Sequence, residues 1–231
     1  MIKFKNSEIT PENIYKKRRS FIKSVGLGAS TLAMSSIPFL NKSLASERDK
    51  LTSYKDITTY NNYYEFGTSK SDPYRNSQIF KTTPWDIAIE GEVEKPIKLS
   101  MEEISEMFIS EERIYRLRCV EGWSMVIPWM GFSLSKLLSK VNPTNKAKFV
   151  EFESVYDPAQ MKGQRYPVLN WPYNEGLRID EAMHPLTTVV TGLYGKKLPN
   201  QNGAPLRIFI PWKYGFKSAK AIVKIKFVEN M

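Results

Sequence analysis

Apolar and polar residues alternate along several short stretches of this chain, a period-two pattern that is typical of half-buried β-strands. The pattern is clearest in "WDIAIEGEV", Trp85 to Val93, which Glu94-Lys95-Pro96 interrupts. Four later stretches are similar, namely "AKFVEFESVY", "PLTTVVTGLYG", "LRIFIPW" and "AKAIVKIKFVE". We therefore predict a strand in each of these five segments.

Helical signals are fewer and shorter than the strand signals. Ser100 and Glu103 have the spacing of a capping box ahead of Ile104, which predicts a short helix there. The stretch "FSLSKLLSKV", Phe132 to Val141, predicts a second helix that ends before Pro143. Strands outnumber helices, and no βαβ rhythm or internal repeat occurs. The predicted fold class is α+β, with mixed β-sheets, short helices and long loops.

A further strand is predicted in "RIYRLRCVEGWSMVIPW", the stretch that contains the single cysteine, Cys119. Because side chains alternate between the two faces of a strand, one face carries Tyr115, Leu117 and Cys119 and the other Ile114, Arg116 and Arg118. We expect Gly122 and Pro128 to end the regular structure. Cys119 would then stand at a strand-to-loop junction, from which a side chain can reach a pocket.

Residues 46–82 are polar and mixed, and the stretch "YNNYYEFGTSKSDPYRN" from Tyr60 to Asn76 is predicted to be an irregular loop. Aromatic residues occupy four of seven positions within it: Tyr60, Tyr63, Tyr64 and Phe66. So many rings are unsuited to solvent, and the loop is expected to pack onto the protein. Asn61, Tyr64 and Glu65 offer hydrogen bonds to a large polar heterocycle, although aromatic loops more often only cap a core.

The charge distribution argues against nucleic-acid binding. The formal net charge is +10, but residues 1–45 contain eight Lys or Arg and two acidic residues, whereas the remainder contains 26 and 22. No concentrated basic stripe with interleaved aromatic residues is present. Most of the excess charge therefore belongs to the N-terminal segment.

That segment, "KKRRSFIKSVGLGASTLAMSSIPFLNKSLAS", resembles a twin-arginine export signal. Arg18 and Arg19 precede a Gly/Ser-rich apolar run, and Ser43-Leu44-Ala45 offers small residues for cleavage. We predict a signal peptide at 1–45, one domain at 46–231, and a periplasmic location. An uncleaved N-terminal anchor is the alternative, although the run of 17 residues is short for a membrane span.

The solitary cysteine allows several kinds of chemistry. Cys119 excludes an internal disulfide, and a lone cysteine is usually a small buried hydrophobic residue. A nucleophilic thiol needs a base, but the only histidine, His184 in "DEAMHPLTT", has no evident triad partner. One Cys and one His also support zinc poorly. The functional interpretation that remains is a soft metal that binds one protein thiolate and takes its other ligands from a cofactor.

The segment "LPNQNGAPLRIFIPWKYGFKSAK" concentrates positive charge near the C-terminus. Within fourteen residues it contains Arg207, Lys213, Lys217 and Lys220, and Gly203 and Gly215 allow close backbone approach. Such a set suits a phosphate group. A solvated basic hairpin is the competing interpretation.

Taken together, four segments closely resemble one known family. They are "YNNYYEFG", "EERIYRLRCVEGWSMVIPWMGFSL", "DEAMHPLTTVVTGLYGKKLPNQNGAPLR" and "PWKYGFKSAKAIVKIKF". The family is that of the catalytic subunits of periplasmic molybdenum-dependent protein-methionine-sulfoxide reductases, within the sulfite-oxidase superfamily. The resemblance covers residues 55 to 228 in order, and it implies a sulfite-oxidase-type molybdopterin-binding fold.

The resemblance also implies roles for individual residues of this chain. Cys119 matches the catalytic cysteine that binds molybdenum. The remaining matches are to positions that bind the molybdenum-molybdopterin (Mo-MPT) cofactor: Asn61, Tyr64, Glu65, Ser154, Asn202, Arg207, Ser218, Ala219 and Lys220. At Ser154 the family commonly has threonine, and at Ser218 it usually has glycine.

By the same resemblance, the chain is expected to reduce methionine sulfoxide residues of periplasmic proteins by oxygen-atom transfer. A haem-containing membrane subunit would supply electrons, oxidised periplasmic proteins would be substrates, and the twin-arginine export machinery would carry the folded protein. We also expect the family's C-terminal tail to be missing after Met231. Two alternatives stay open: a related molybdenum enzyme that acts on small S- or N-oxides or on sulfite, and a metal-free exported binding module.

Overall fold

Strands dominate the part of the chain that the computed structural model describes, residues 50–231. In that part the strands are β1 Asp86–Gly91, β2 Ile97–Ser100, β3 Glu111–Arg118, β4 Ser124–Ser133, β5 Phe149–Ser154, β6 Asn174–Arg178, β7 Thr188–Leu193, β8 Lys196–Lys197, β9 Arg207–Phe209 and β10 Ile222–Val228. All five strands predicted from alternation are present, as is the strand that leads to Cys119.

The helices of the same region are all shorter than eight residues. The α-helices are α1 Tyr54–Thr59, α2 Asp72–Asn76, α3 Met101–Met107, α4 Leu134–Leu138 and α5 Ile179–Ala182. The 3-10 helices are Tyr64–Phe66, Ser77–Ile79, Ser139–Val141, Lys162–Arg165, Asn200–Asn202 and Gly215–Lys217. No helix among residues 50–231 has both the length and the hydrophobicity that a membrane crossing requires. The predicted signal peptide lies outside the described residues.

The strands form two five-stranded sheets. The first has the order β2-β1-β10-β5-β6; β1 and β10 run parallel and the other neighbours antiparallel. The second has the order β3-β4-β7-β8, with β9 also paired to β7, and is antiparallel throughout. A mixed sheet combined with short helices and long connections confirms the predicted α+β class.

Two clusters of buried apolar side chains hold these sheets. The larger one surrounds the first sheet and includes Ile87 of β1, Phe152 of β5 and Phe227 of β10. The smaller one lies on the second sheet, where Trp129 of β4 packs beside Phe209 of β9 with ring centroids 5.4 Å apart. The smaller cluster matters for function because it forms one wall of the pocket described below.

The predicted helix after Ser100 is confirmed, together with its capping box. The Glu103 backbone N–H donates to Ser100 Oγ at 3.1 Å, and the Ser100 N–H donates to the Glu103 carboxylate at 2.8 Å. The second predicted helix is present but begins two residues later, because Phe132 and Ser133 still belong to β4. It continues as the 3-10 helix to Val141.

The expectation that Pro128 ends regular structure was wrong. Pro128 lies inside β4, opposite Ile114 of β3. Its carbonyl accepts from the Tyr194 N–H at 2.9 Å, so the nitrogen that lacks a proton points to the end of β7 and away from the β3 ladder. Proline is tolerated here because its missing donor faces Tyr194, just beyond the end of β7, and does not interrupt the β3–β4 ladder.

The prediction that residues 60–76 form an irregular loop was also wrong in part. The 3-10 helix Tyr64–Phe66 and helix α2 fall within this stretch, and helix α1 directly precedes it. Ser53 caps α1 through its side chain, which accepts from the Asp56 N–H at 3.1 Å. The helices are one to two turns long, too short to give a hydrophobic period.

Candidate cofactor site

Cys119 is the first residue after β3 and begins a tight turn. Its backbone N–H donates to the Trp123 carbonyl at 2.9 Å, and the Gly122 N–H donates back to its carbonyl at 3.1 Å. Gly122 has a φ of 88°, a left-handed conformation that favours glycine. The β3–β4 hairpin therefore fixes Cys119 at a strand end, as the sequence pattern predicts, with the side chain partly buried.

The Cys119 side chain lines a cavity of about 340 Å³, within the size range of small-molecule sites. One wall comes from the second sheet, through Leu117, Met125, Ile127, Trp129 and Arg207. The other walls are connecting segments, which contribute Ile57, Tyr60, Asn61, Asn62, Tyr64, Glu65, Val120, Glu121, Trp123, Leu169, Tyr173, Gln201, Asn202, Gly215, Phe216 and Lys220. Four regions that are distant in sequence thus meet around one thiol.

The cavity brings together seven of the ten residues that the resemblance assigns to the site. They are Asn61, Tyr64, Glu65, Cys119, Asn202, Arg207 and Lys220. In the sequence these residues belong to four separate segments, which only the resemblance links. Their convergence on one cavity is a property of this chain's own fold.

The other three residues, Ser154, Ser218 and Ala219, do not line this cavity. Ser154 ends β5, and Ser218 and Ala219 lie between the 3-10 helix Gly215–Lys217 and β10; all three are buried. Neither serine hydroxyl has a hydrogen-bond partner within the described residues. These two buried hydroxyls next to the cavity therefore have hydrogen-bonding groups that a bound ligand could satisfy.

Two asparagines are held by a single carbonyl at the C-terminal part of α1. Asn61 Nδ2 donates to the Ile57 carbonyl at 2.8 Å, and Asn202 Nδ2 donates to the same oxygen at 2.9 Å. Each amide is thereby oriented, and both Oδ1 atoms are buried without a hydrogen-bond partner. The pocket therefore presents acceptor atoms that no described residue of the protein satisfies.

The positive side of the pocket is formed by Arg207 and Lys220, which face each other across an isolated β-bridge. Gly203 makes their approach possible: a Cβ there would lie 2.9 Å from Lys220 Cγ and 3.3 Å from Arg207 Cβ. Arg207 donates to the Asn202 carbonyl at 2.9 Å, and its guanidinium lies 5.2 Å from the Trp129 ring centre. Its Nε is buried without a partner.

Burial shifts the pKa values of these groups. Desolvation lowers the pKa of Lys220 to about 8 even though Glu65 acts in the opposite direction, and desolvation lowers the pKa of Arg207 to about 10. Burial also raises the pKa of the Glu65 carboxyl, an effect that the nearby Lys220 charge reduces. At neutral pH both cations remain charged, so this side of the pocket suits an anion.

The other two lysines of the basic segment do not belong to the pocket. Lys213 forms an ion pair with Glu181 at 2.7 Å, and Lys217 forms one with Glu175. Neither the phosphate-binding interpretation of this segment nor the solvated-hairpin interpretation was therefore complete. Two of its four cations are paired with carboxylates, and the other two line the cavity.

Several polar and aromatic residues of the pocket were not predicted as site residues, among them Asn62, Trp123, Tyr173 and Gln201. Asn62 Nδ2 donates to Cys119 Sγ at 3.2 Å across 57 residues of sequence. The Tyr173 hydroxyl lies 2.9 Å from both the Glu175 carboxylate and the Phe216 carbonyl. The doubled asparagine in "YNNYYEFG" was visible in the sequence, but nothing indicated which of the two amides contacts sulfur.

Glu121, two residues after Cys119, is a salt-bridge partner in this structure. Hydrogen bonds from Lys70, Asn62 and Trp123 lower the pKa of its carboxyl to about 2, so it is ionised at neutral pH. Lys70 Nζ lies 2.7 Å from Glu121 Oε2. Arg118, which directly precedes Cys119, is exposed at the end of β3.

The donor set favours an anionic, hydrogen-bonding ligand that carries a soft metal. Among residues 50–231 no cluster of three or more His, Cys, Asp or Glu side chains is arranged to hold a metal ion. The protein offers a single thiol, three unpaired amide oxygens on Asn61, Asn62 and Asn202, and two buried cations. A metal bound here needs most of its ligands from elsewhere, and the surrounding groups suit a heterocycle with N–H donors and a phosphate.

Comparison with known proteins agrees with this chemistry. Residues 75–231 match the family described as oxidoreductase molybdopterin binding domain. Among solved structures, the sulfane dehydrogenase SoxCD from Paracoccus pantotrophus superimposes with a TM-score of 0.57 at 14% identity. The superposition covers 96% of this chain and 60% of that chain, and it supports the sulfite-oxidase-type fold alone.

Curated relatives are far more similar in sequence. The protein-methionine-sulfoxide reductase catalytic subunit MsrP of Xanthomonas axonopodis pv. citri is 52% identical over 98% of this chain and 74% of the relative. The protein of the same name from Burkholderia mallei is 50% identical over 97% of this chain and 73% of the relative. The chain belongs to this family of molybdopterin-binding oxidoreductases, the protein-methionine-sulfoxide reductase catalytic subunits.

Proposed function

We propose that this chain binds one molybdenum-molybdopterin through Cys119 and reduces methionine sulfoxide side chains of other proteins. The observation that carries the proposal is the pocket itself. It joins the only thiol of the sequence to unpaired amide oxygens and two buried cations, and it does so in a chain about 50% identical to proteins named for this reaction. The overall reaction consumes two electrons and two protons and releases methionine and water.

The residues present fit the cofactor. The Cys119 thiolate is the protein ligand to molybdenum, and the bound centre supplies two-electron oxygen-atom transfer. Asn61 and Asn202 present Oδ1 acceptors to the N–H groups of the pterin, and Tyr64 and Glu65 flank it. Arg207 and Lys220 neutralise the phosphate by charge-assisted hydrogen bonds. Ser154, Ser218 and Ala219 are buried next to the cavity and are proposed to complete this part of the site.

The chain's own residues also control access to the pocket. Trp129, fully buried in the smaller apolar cluster, lies against the Arg207 guanidinium. Tyr60 and Trp123 meet edge to face with ring centres 5.3 Å apart and connect the aromatic loop to the cysteine turn. These contacts limit water on the inner side, so that only the mouth of the pocket is open to a substrate side chain.

The mouth is apolar and exposed, which supports a substrate side chain presented by another protein. Val120, directly after the cysteine, is 64% exposed, and Tyr60, Leu169 and Phe216 also remain exposed at the cavity. Exposed apolar groups around a cavity favour contact with a partner surface. A methionine sulfoxide within an apolar segment fits this rim better than a freely soluble ion does.

The proposed electron donor is a haem-containing membrane subunit. The relatives are named catalytic subunits, which supports a separate partner, and a chain with one cysteine has no cysteine pattern for haem attachment or an iron–sulfur cluster. Export by the twin-arginine machinery to the periplasm, where oxidised periplasmic proteins are the substrates, is supported by Arg18-Arg19 and the apolar run after them.

The test is to express the full chain in cells that make molybdopterin, then to measure bound molybdenum and the reduction of methionine sulfoxide in an oxidised protein. We expect stoichiometric molybdenum and turnover with an artificial electron donor, with turnover lost and bound molybdenum reduced in Cys119→Ser. Folded wild-type protein without molybdenum would refute the proposal. Efficient turnover of dimethyl sulfoxide without turnover of oxidised protein would refute the assigned substrate.

A further inference from the structure

The sulfur of Cys119 accepts a hydrogen bond from a side chain of a different loop. Asn62 Nδ2 donates to Cys119 Sγ at 3.2 Å. The Asn62 amide also lies close enough to the Glu121 carboxylate, which can only accept, to help lower the pKa of that carboxyl. One amide group therefore joins the cysteine sulfur to a carboxylate two residues further along the turn.

The carboxylate of Glu121 is in turn held from outside the cysteine turn. Lys70 Nζ contacts both of its oxygens, at 3.0 and 2.7 Å, and Trp123 Nε1 donates to Oε2 at 3.0 Å. Lys70 belongs to the loop that contains Asn62. Its carbonyl accepts from the Asn61 N–H at 2.9 Å, so Lys70 lies next to the base of the loop segment that it helps to orient.

These contacts form a continuous series from Lys70 through Glu121 and Asn62 to Cys119. The Lys70–Glu121 ion pair connects the aromatic loop to the cysteine turn, and its side chains are 26% and 34% exposed. An ion pair this exposed contributes little to global stability, typically about 0–1 kcal/mol. The ion pair is nevertheless only two contacts away from the Cys119 sulfur, so it can orient the groups around that sulfur even though it contributes little to stability.

We propose that Lys70 is a positioning residue which, through Glu121, holds the Asn62 amide against the Cys119 sulfur and thereby tunes the metal that this sulfur binds. An N–H donor withdraws electron density from a thiolate sulfur, which weakens electron donation to the metal and raises the reduction potential. The part that concerns the metal rests on the proposed function. The part that concerns the amide does not.

The first test is structural and needs no metal. In crystals of the cofactor-free protein, Lys70→Met is expected to lengthen the Asn62 Nδ2 to Cys119 Sγ distance beyond hydrogen bonding. Lys70→Arg is expected to keep it, because arginine preserves the ion pair. The matched control is Lys98→Met, which breaks an exposed ion pair of equal length, 2.7 Å to Asp86, between β1 and β2. An unchanged contact in Lys70→Met overturns the proposal.

The second test uses the loaded enzyme. Lys70→Met is expected to retain molybdenum but to lower the midpoint potential and to shift the sulfur-to-metal absorption band, with both restored in Lys70→Arg and unchanged in Lys98→Met. A potential and band identical to those of the wild type in Lys70→Met would refute the tuning role. Absence of molybdenum from the wild type would instead refute the proposed function, while the crystallographic test still decides the positioning role.

Discussion

At the scale of single residues, this site consists of polar groups that folding leaves unsatisfied. The Oδ1 atoms of Asn61 and Asn202 and the Nε of Arg207 are buried without partners, although their other polar atoms are well bonded. Each such group typically destabilises a folded protein by about 1–3 kcal/mol. A ligand that satisfies them recovers this energy, which explains why the sequence retains them.

Lys220 gives the first prediction at this scale. Its pKa is lowered to about 8 mainly by burial, below the usual value of 10.5, so folding opposes its charge at neutral pH. In cofactor-free protein at pH 7, Lys220→Met is therefore expected to raise the free energy of unfolding by about 3 kcal/mol. Urea denaturation of both proteins measures this difference.

The difference in stability between the wild type and Lys220→Met is expected to depend on pH with a definite sign. Between pH 8 and 10.5 the unfolded wild-type chain binds more protons than the folded one, so wild-type stability gains from rising pH through this group. The advantage of Lys220→Met is thus expected to shrink as pH rises from 7 to 10. A constant difference across this range would contradict the assigned cause.

The residues of the site could be predicted from the sequence only where they belong to one of the segments that resemble the family. Cys119 was identified by its uniqueness and its position at a strand end. The contact of Asn62 with the sulfur depends on how the aromatic loop folds back over the β3–β4 turn, and the participation of Tyr173 depends on the position of β6. Such contacts join residues about 50 or more positions apart and leave no local pattern.

At the scale of elements, alternation predicted β1, β5 and β10, whose buried and less buried positions alternate, and also β7 and β9, which are buried at most positions. It missed β2, β6 and β8, which are two to five residues long, and it stopped before β4, which is buried on both faces and contains Pro128. A strand of that kind shows a continuous apolar run and no alternation. The sheet order, including the parallel β1–β10 pair, is set by tertiary packing and was not predicted.

The 3-10 helix Tyr64–Phe66 gives a prediction at this scale. It packs against the 3-10 helix Lys162–Arg165, where a Cβ on Gly163 would lie 1.9 Å from the Tyr64 carbonyl oxygen and 2.8 Å from that of Glu65. Gly163→Ala must therefore displace the segment that carries Tyr64 and Glu65. We expect a loss of about 1–3 kcal/mol in stability and a marked fall in bound molybdenum.

Gly176→Ala is the matched control for this substitution. A Cβ at Gly176 would meet only the flexible end of the Met231 side chain, Cε at 2.1 Å and Sδ at 2.7 Å, which can move aside. Metal analysis of both variants should show normal loading in this control. Full loading in Gly163→Ala would mean that the position of Tyr64 and Glu65 is not required for cofactor binding.

At the scale of the whole molecule, the two sheets contribute different kinds of structure to the site. The second sheet supplies an ordered wall through β3, β4 and β9, and segments that precede β6 and β10 of the first sheet supply Tyr173 and Lys220. The reactive thiol therefore stands on a hairpin end with regular structure behind it. This arrangement leaves the mouth open between loops that carry exposed apolar side chains.

The apolar mouth leads to a prediction about substrate size. Val120→Glu places a charge on the rim and is expected to lower kcat/KM for an oxidised protein by about five- to tenfold, because it removes apolar contact with the partner. For free methionine sulfoxide, which touches less of the rim, we expect a change of less than about twofold. Steady-state kinetics with both substrates measures the difference.

Ile109→Glu is the control for this prediction, since Ile109 is 84% exposed and does not line the pocket. It should leave both substrates unaffected. Equal losses for the two substrates in Val120→Glu would indicate damage to the cofactor site. Unchanged kinetics for both would show that the rim does not contact the substrate protein.

The bond between Cys119 and molybdenum is the central claim, and X-ray absorption at the molybdenum edge tests it most directly. Two sulfur ligands are expected from the pterin and a third from the protein in the wild type, with one sulfur fewer in whatever Cys119→Ser protein retains the metal. An identical sulfur count in the two proteins would contradict the account, because the solitary thiol would then not be a ligand.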